Sequence, residues 1–187
     1  MNPVIEALLN RSSEPKLTTP APPASVLEQA FACAARAPDH ALLRPWRYLV
    51  VEGEGLQQLG SLFEASATDS DSERQREKLR AMPLRAPMVV VAIASPVSHP
   101  KVPVQEQNYS CAAGVAYLVL ALHSAGFGAM WRTGDVAERA RVREGLGLQP
   151  TESIVGFIYT GTVTAEKPAV PRAEVSQFVS RWPQPED

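Results

Sequence analysis

The chain has 187 residues, of which 45% are hydrophobic and 20% charged, a composition typical of a globular domain and too apolar for a disordered chain. Its 18 basic and 20 acidic residues give a net charge of -2, which argues against a general binder of nucleic acid or anionic membranes. A local basic cluster around one phosphate is still compatible with this balance. The length fits one domain, residues 1–187.

Two cysteines, Cys33 and Cys111, exclude a disulfide scaffold and a cysteine-rich zinc site. Both lie among alanines, so we expect buried, reduced thiols. The three histidines are scattered, so no metal site is predicted. The sequence holds no GxxxxGK[ST], GxSxG, HExxH or CxxC motif, which argues against the enzyme classes that those motifs mark.

One run of residues, 111–131, contains no Asp, Glu, Lys or Arg and has the length of a membrane-spanning helix. Its many Ala and Gly residues, and His123 and Ser124 midway, favour a buried central helix followed by a turn and a strand. The first residues do not resemble a signal peptide. We therefore expect a cytoplasmic protein without membrane or nucleic-acid partners.

The first part of the chain alternates helices with proline-bounded loops. Periodicity and turn residues predict a short amphipathic helix, a stiff link, a helix with Ser25 as its N-cap, a loop and a strand, at residues 3–10, 17–23, 25–36, 37–45 and 46–52.

The rest of the chain continues the alternation. Residues 65–80 are polar and charged, which predicts a mobile surface segment and then a solvated helix. The continuous apolar run at 87–94 predicts a strand that is buried on both faces. Further helices are predicted at 56–64, 104–125 and 136–146, further strands at 127–131 and 154–159, and an extended tail at about 165–187.

Three segments carry more polar groups than a core requires. They are Arg11-Ser12-Ser13, the loop from Arg36 to His40 that leads into Arg44, and Trp131-Arg132-Thr133 at a strand end. Guanidinium and hydroxyl groups are well suited to a phosphate. Each segment alone has a simpler explanation as solvated surface charge.

Six segments together resemble the nitroreductase family of FMN-dependent oxidoreductases. They cover most of the chain in family order: LLNRSS at 8–13, AARAPDH at 34–40, RPWRYLVVEGEG at 44–55, APMVVVA at 86–92, GFGAMWRTG at 126–134 and IVGFIYTGT at 154–162. The resemblance implies an α+β fold with a central mixed β-sheet flanked by helices. It also implies an interlocked homodimer with FMN at the subunit interface.

The resemblance also implies which residues contact the cofactor. Arg11, Ser12 and Ser13 would lie near the flavin phosphate, Arg36 and His40 would reach FMN across the interface, and further contacts would come from Trp131, Arg132 and Thr133. The usual family pattern is Arg-Arg-Ser, so Ser12 removes one positive charge. A dinucleotide-binding stretch for NAD(P)H is implied at Ala121, Leu122, His123, Ser124, Ala125 and Gly126. The apolar character of that helix end favours core roles for Leu122 and His123.

The function that follows from the resemblance is reduction of a nitroaromatic, a quinone or another small acceptor by NADH or NADPH. Hydride would pass through flavin N5 in a ping-pong cycle, and the cofactor carries that chemistry. No catalytic side chain is therefore expected. The alternative, made plausible by Ser12, is a flavin-binding or flavin-sequestering protein without significant turnover. The donor preference and the physiological acceptor stay open.

The residues themselves also favour a dimer. Residues 115–125 are apolar nearly all round, and a helix without a polar face must be covered on all sides. The tail carries Phe178, Val179 and Trp182, as an arm that wraps a neighbour would. The alternative is a tail packed on its own subunit.

Overall fold

A computed structural model describes residues 1–165 and 171–183 of the chain. Five strands form the sheet: β1 (Leu17–Thr18), β2 (Trp46–Glu52), β3 (Met88–Ala94), β4 (Gly128–Arg132) and β5 (Ser153–Val163). The helices are α1 (Pro3–Asn10), α2 (Ala24–Ala34), α3 (Glu54–Ala65), α4 (Glu73–Ala81), α5 (Val104–Ser124) and α6 (Ala140–Gly145). Single turns of 3-10 helix lie at His40–Leu42, Pro83–Arg85, Asp135–Ala137 and Val175–Gln177.

The sheet is antiparallel in every pairing among the described residues, so the expected mixed sheet is wrong in this detail. Its order is β1-β5-β3-β2, and β4 also pairs with β5. Glu52 at the end of β2 lies opposite Met88 at the start of β3. Two helices connect these strands, so the chain returns to the end of the sheet where β2 finished.

Strand β3 separates two hydrophobic cores. Val89, Val91 and Ile93 face a cluster formed with α3, α4 and α6, while Val90 and Ala92 face a cluster formed with α2 and α5. Every residue of β3 is buried. The prediction that the continuous apolar run is a strand buried on both faces is therefore confirmed, since each face is covered by a helical layer.

Strand β2 has the predicted bounds, whereas three other local predictions are corrected. Pro23, not Ser25, occupies the N-cap of α2, because the extended backbone ends at Pro23, two residues earlier than predicted. The predicted helix at 136–146 is interrupted by Arg139, whose extended backbone directs its guanidinium to Asp135 and to the carbonyl of Ser66. Strand β5 continues to Val163, since β1 and β4 pair with its end.

The two cysteines differ in burial. Cys111 is fully buried, and burial raises the pKa of its thiol to about 12, so it is a core residue as expected. Cys33 is exposed, because it lies on the outer face of α2. The prediction of a core thiol is wrong at this position.

Helix α5 is the central helix predicted from the charge-free run. Its buried residues include Val115, Leu118 and Leu122. Its opposite face leaves Tyr109 and Tyr117 exposed in a single chain. Within residues 1–165 and 171–183, no helix combines the length and apolar content that crossing a membrane requires.

The polar segment at 65–80 is tied to the body of the protein. Asp71 forms an ion pair with Arg139 at 3.3 Å and accepts hydrogen bonds from Thr68. Ser72 and Gln75 then form a capping box that begins α4, the predicted solvated helix. Mobility of this segment stays a prediction.

Candidate functional site

Strand β4 brings two of the three predicted segments together. The backbone N–H of Glu14 donates to the carbonyl of Ala129 at 3.0 Å, so the segment from Arg11 to Ser13 leads directly to the first residues of β4. Gly128 permits this approach, because a Cβ there would lie 2.7 Å from Leu17 and 3.0 Å from Glu14. Trp131, Arg132 and Thr133 lie at the other end of the same strand.

The first segment has a smaller positive charge than the family pattern implies. Arg11 is half-buried at the end of α1, where its N–H donates to the carbonyl of Ala7. The Ser12 hydroxyl donates to the Glu14 carboxylate at 2.7 Å. Ser12 therefore engages an acidic neighbour, and the charges of Arg11 and Glu14 offset each other in this stretch.

Trp131 is fixed against β5. Its indole Nε1 donates to the carbonyl of Val155 at 3.1 Å. The ring lies on Gly156, where a Cβ would overlap the indole nitrogen. Glycine at this position in the strand allows the indole ring to approach the backbone closely, because it has no side chain that would displace the ring.

Arg132 lies over a buried tyrosine. Its guanidinium carbon is 5.8 Å from the centroid of the Tyr159 ring, a cation-π distance. Burial raises the pKa of Tyr159, while the charges of Arg85 and Arg132 act to lower it. Arg132 and Tyr159 together form one wall of a cavity. The other cationic side chains that line this cavity come from different elements of the fold.

This cavity, which we call the basic cavity, has a volume of about 410 Å³. Its lining includes three cationic side chains, Lys78 from α4, Arg85 from the following 3-10 turn and Arg132 from β4. Thr133, Met82, Met130, Val136, Phe157 and Tyr159 complete the lining together with Trp131. Sequence reasoning missed Lys78 and Arg85: Lys78 lies in the polar segment 65–80, and Arg85 lies in the short stretch between that segment and β3.

The third predicted segment lines a different cavity, of about 360 Å³. His40 Nδ1 lies 3.1 Å from the carboxylate of Glu106, near the start of α5, and both residues line the cavity with Asp39. Arg36 is exposed beyond the end of α2. Within one chain, the structure therefore brings Arg11–Ser13 and Trp131–Thr133 to one strand and leaves Arg36 and His40 elsewhere.

The loop after His40 is strained. Ala41, Leu42 and Arg44 have φ angles of 64°, 54° and 50°, a region that residues other than glycine seldom adopt. The Asp39 carboxylate accepts the Arg44 N–H at 2.7 Å and holds this conformation. Strained backbone of this kind persists where the surroundings impose it.

The stretch implied for NAD(P)H is the C-terminal end of α5. Leu122 is fully buried, as expected, and Gly126 with φ 86° makes the turn into β4. Ala121, His123, Ser124 and Ala125 line a groove of about 730 Å³ between α1, α2 and α5. His123 is half-buried and faces this groove, so its expected core role is wrong.

Comparisons with known proteins agree on one family. The sequence model of the Nitroreductase family matches residues 8–162. The chain is 36% identical over 159 residues to the Escherichia coli (strain K12) protein named "Putative NAD(P)H nitroreductase YdjA", covering 84% of this chain and 87% of that protein.

Solved structures show the same fold. A nitroreductase-like family protein from Bacillus cereus superposes with a TM-score of 0.88 at 20% identity, covering 98% of this chain and 97% of the other. A protein from Desulfovibrio desulfuricans, described as "a putative nitroreductase in complex with FMN", superposes with a TM-score of 0.73 at 20% identity, covering 99% of each chain. The chain therefore belongs to the nitroreductase family of oxidoreductases.

Proposed function

We propose that the protein is an FMN-dependent oxidoreductase that uses NADH or NADPH to reduce a nitroaromatic, a quinone or a related small acceptor. The observation that carries the proposal is that one strand, β4, links both segments: the Glu14 to Ala129 hydrogen bond joins Arg11–Ser13 to its start, and Trp131–Thr133 lie at its end. These are the segments that the family resemblance assigns to the flavin. The name of the Escherichia coli relative and the FMN in the Desulfovibrio desulfuricans structure support the same cofactor and donor.

The side chains along β4 fit an anionic flavin nucleotide. Arg11 lies in the segment that the Glu14 hydrogen bond joins to the start of β4, and Arg132 and Thr133 supply a guanidinium and a hydroxyl at its end. Trp131 adds an aromatic ring whose orientation is set by Gly156 and Val155. Planar guanidinium groups and hydroxyls are suitable donors for phosphate and carbonyl oxygens. When bound, FMN supplies hydride acceptance and donation at N5, so donor and acceptor would react in turn.

We place the complete flavin site at a homodimer interface. Arg36 and His40 line neither end of β4 in their own chain, so a second copy would have to bring them to the flavin. The apolar side of α1 is uncovered, with Val4, Ile5, Leu8 and Leu9 each more than two-fifths exposed. Exposed apolar patches of this size mark interaction surfaces. The described part of the tail adds Phe178, Val179 and Trp182, which are also exposed.

The 730 Å³ groove at Ala121–Gly126 is a weaker candidate for the NAD(P)H site. It is lined largely by apolar side chains, and α1 contributes Pro3, Val4 and Ala7 to one of its walls together with Glu6 and Asn10. A dimer interface explains such a lining better than a dinucleotide does. The cytoplasmic location expected from the sequence stays a prediction.

Steady-state kinetics of the FMN-loaded protein test the function. NADH or NADPH is varied at several fixed concentrations of a quinone acceptor, and double-reciprocal plots are compared. Parallel lines support alternating donor and acceptor at one flavin, whereas intersecting lines contradict the ping-pong cycle. A protein that binds FMN but oxidises neither donor with any acceptor would be a flavin-binding protein without turnover.

A further inference from the structure

The basic cavity holds three positive charges that come from three separate elements. Lys78 lies in the last turn of α4, Arg85 in the 3-10 turn that precedes β3, and Arg132 at the end of β4. All three line one space of about 410 Å³, within the range of small-molecule sites. The fold thus concentrates positive charge in a chain whose net charge is negative.

No carboxylate in residues 1–165 or 171–183 forms an ion pair with these three cations. Among the described residues, the cavity lining contains no Asp or Glu, and none of the three cations is in an ion pair. The nearby acidic groups are engaged elsewhere. Asp135 pairs with Arg139 at 2.6 Å, and Glu64 pairs with Arg80 at 3.5 Å.

Like charges held near one another repel, and the cost is larger where apolar walls reduce the surrounding water. Met82, Met130, Val136 and Phe157 supply such walls here. The half-buried Arg132 is oriented by the Tyr159 ring, so its donors stay in place without a carboxylate partner. Two guanidinium groups and one ammonium around one space supply the positive charge and the hydrogen-bond donors that a phosphate group requires.

We propose that Lys78, Arg85 and Arg132 form a binding site for a phosphate group at the end of β4. The identity of the ligand that carries this phosphate rests on the proposed function: it is the pyridine-nucleotide donor, because the flavin phosphate is assigned to Arg11–Ser13 at the opposite end of β4. Phosphate binding itself does not depend on turnover.

Inorganic phosphate is the first probe, and its binding to the protein as purified is measured by isothermal titration calorimetry at low ionic strength. Arg85→Gln and Lys78→Gln are each expected to weaken binding about tenfold, the loss of one charge-assisted contact. Lys78 is exposed, so its substitution leaves the fold intact. Arg80→Gln is the matched control, because Arg80 lies in the same turn of α4 but pairs with Glu64 outside the cavity lining.

Arg80→Gln should change phosphate affinity by less than about twofold. Absence of saturable phosphate binding by the wild-type protein would overturn the proposal. Equal affinities in the wild type and both cavity variants would also overturn it, because binding would then lie elsewhere.

Two further measurements identify the source of the phosphate. A tenfold rise in the FMN dissociation constant of Arg85→Gln, measured by flavin fluorescence, would place the flavin phosphate in this cavity and contradict the assignment to the donor. An unchanged FMN affinity with a raised KM for NADPH, and a smaller change for NADH, assigns it to the donor. Phosphate binding that is lost in both variants of a protein without flavin turnover would support this site and contradict the proposed function. Normal turnover, together with phosphate binding that neither substitution weakens, would support the proposed function and contradict this site.

Discussion

Trp131 and Gly156 lie in direct contact on neighbouring strands, with the indole ring occupying the space that a side chain at position 156 would fill. The ring is held in that position by the hydrogen bond from its Nε1 to the carbonyl of Val155. Since Trp131 begins the Trp131–Thr133 segment at the end of β4, this contact sets the position of a predicted flavin ligand.

Gly156→Ala is therefore expected to damage the site. The added methyl group displaces the indole ring and also approaches the carbonyl of Arg132, which lies 3.0 Å from the Cβ position. We predict a loss of about 2 kcal/mol in the free energy of unfolding, as for other overpacking substitutions, and at least a tenfold loss of FMN affinity. Urea unfolding and flavin fluorescence titration provide the two measurements.

Gly55→Ala provides the comparison, since a Cβ there would meet the terminal methyl of Val51 at 3.2 Å, away from β4. It should leave FMN affinity unchanged. An FMN affinity for Gly156→Ala equal to that of the wild type would show that the indole position does not matter to the flavin.

Arg47 and Glu152 form an ion pair near the start of β2. Arg47 donates from two nitrogens to the two carboxylate oxygens, both at 2.7 Å, and Glu152 is 4% exposed. The hydrogen bonds from Arg47, with smaller contributions from the Gln149 N–H and Ser95, lower the pKa of Glu152 from 4.5 to about 2. The folded protein therefore binds this proton less readily than the unfolded chain does.

It follows that the stabilisation is complete above pH 4.5 and is lost as the pH falls towards 2. A shift of this size corresponds to about 3 kcal/mol. We predict that Glu152→Gln reduces the free energy of unfolding by about that amount at pH 7, and that the difference from the wild type shrinks in acid. Urea unfolding at pH 7 and pH 3 measures both values.

Glu138→Gln is the control for this pair, because Glu138 lies 3.8 Å from Arg143 and its side chain is 74% exposed. Its effect should be below about 1 kcal/mol at either pH. If Glu152→Gln changes the free energy of unfolding by the same amount at pH 3 as at pH 7, the pKa of Glu152 is not lowered as described.

Ile5 tests the proposed interface. It is 51% exposed on the apolar side of α1, and Leu84, near the basic cavity, is 52% exposed on the opposite side of the sheet. Ile5→Glu should convert the dimer to a monomer, because a charge in an apolar interface loses its hydration without gaining a partner. Leu84→Glu should leave the dimer intact. Light scattering with size-exclusion chromatography distinguishes them, and a wild-type monomer would remove the basis for a shared flavin site.

Asp39 tests the role of the strained loop. Its carboxylate accepts the Arg44 N–H while Ala41, Leu42 and Arg44 hold left-handed conformations. We predict that Asp39→Ala speeds hydrogen exchange at the Arg44 amide by at least tenfold, because the constraint on the loop is lost. Asp39→Asn keeps an acceptor oxygen and should stay close to the wild type. Exchange that is equally slow in both variants would mean that other contacts hold the loop.

Local patterns predicted much of this architecture. The bounds of β2 follow from its β-branched and aromatic residues, and the apolar run of β3 follows from burial between two helical layers. Strand direction is different, since it depends on the end of the sheet to which α3 and α4 return the chain. The periodicity that predicts two helices between β2 and β3 does not specify how they pack.

The candidate site was predictable where its residues form short motifs. The meeting of Arg11–Ser13 with β4 depends on a hydrogen bond between backbone groups far apart in sequence, and Gly128 gives no hint of its partner. Lys78 and Arg85 were missed for the same reason, since they share a cavity with Arg132 only once α4 and the following 3-10 turn have packed in the fold. Their neighbours in sequence resemble an ordinary solvated helix.

The central claim is a flavin held along β4, and the absorption spectrum of the purified protein tests it most directly. We predict flavin absorption, with FMN released on denaturation at about one molecule per subunit and identified by chromatography. A colourless protein that also fails to take up added FMN would contradict the claim. The chain would then have the fold of its family without the cofactor that carries the family's chemistry.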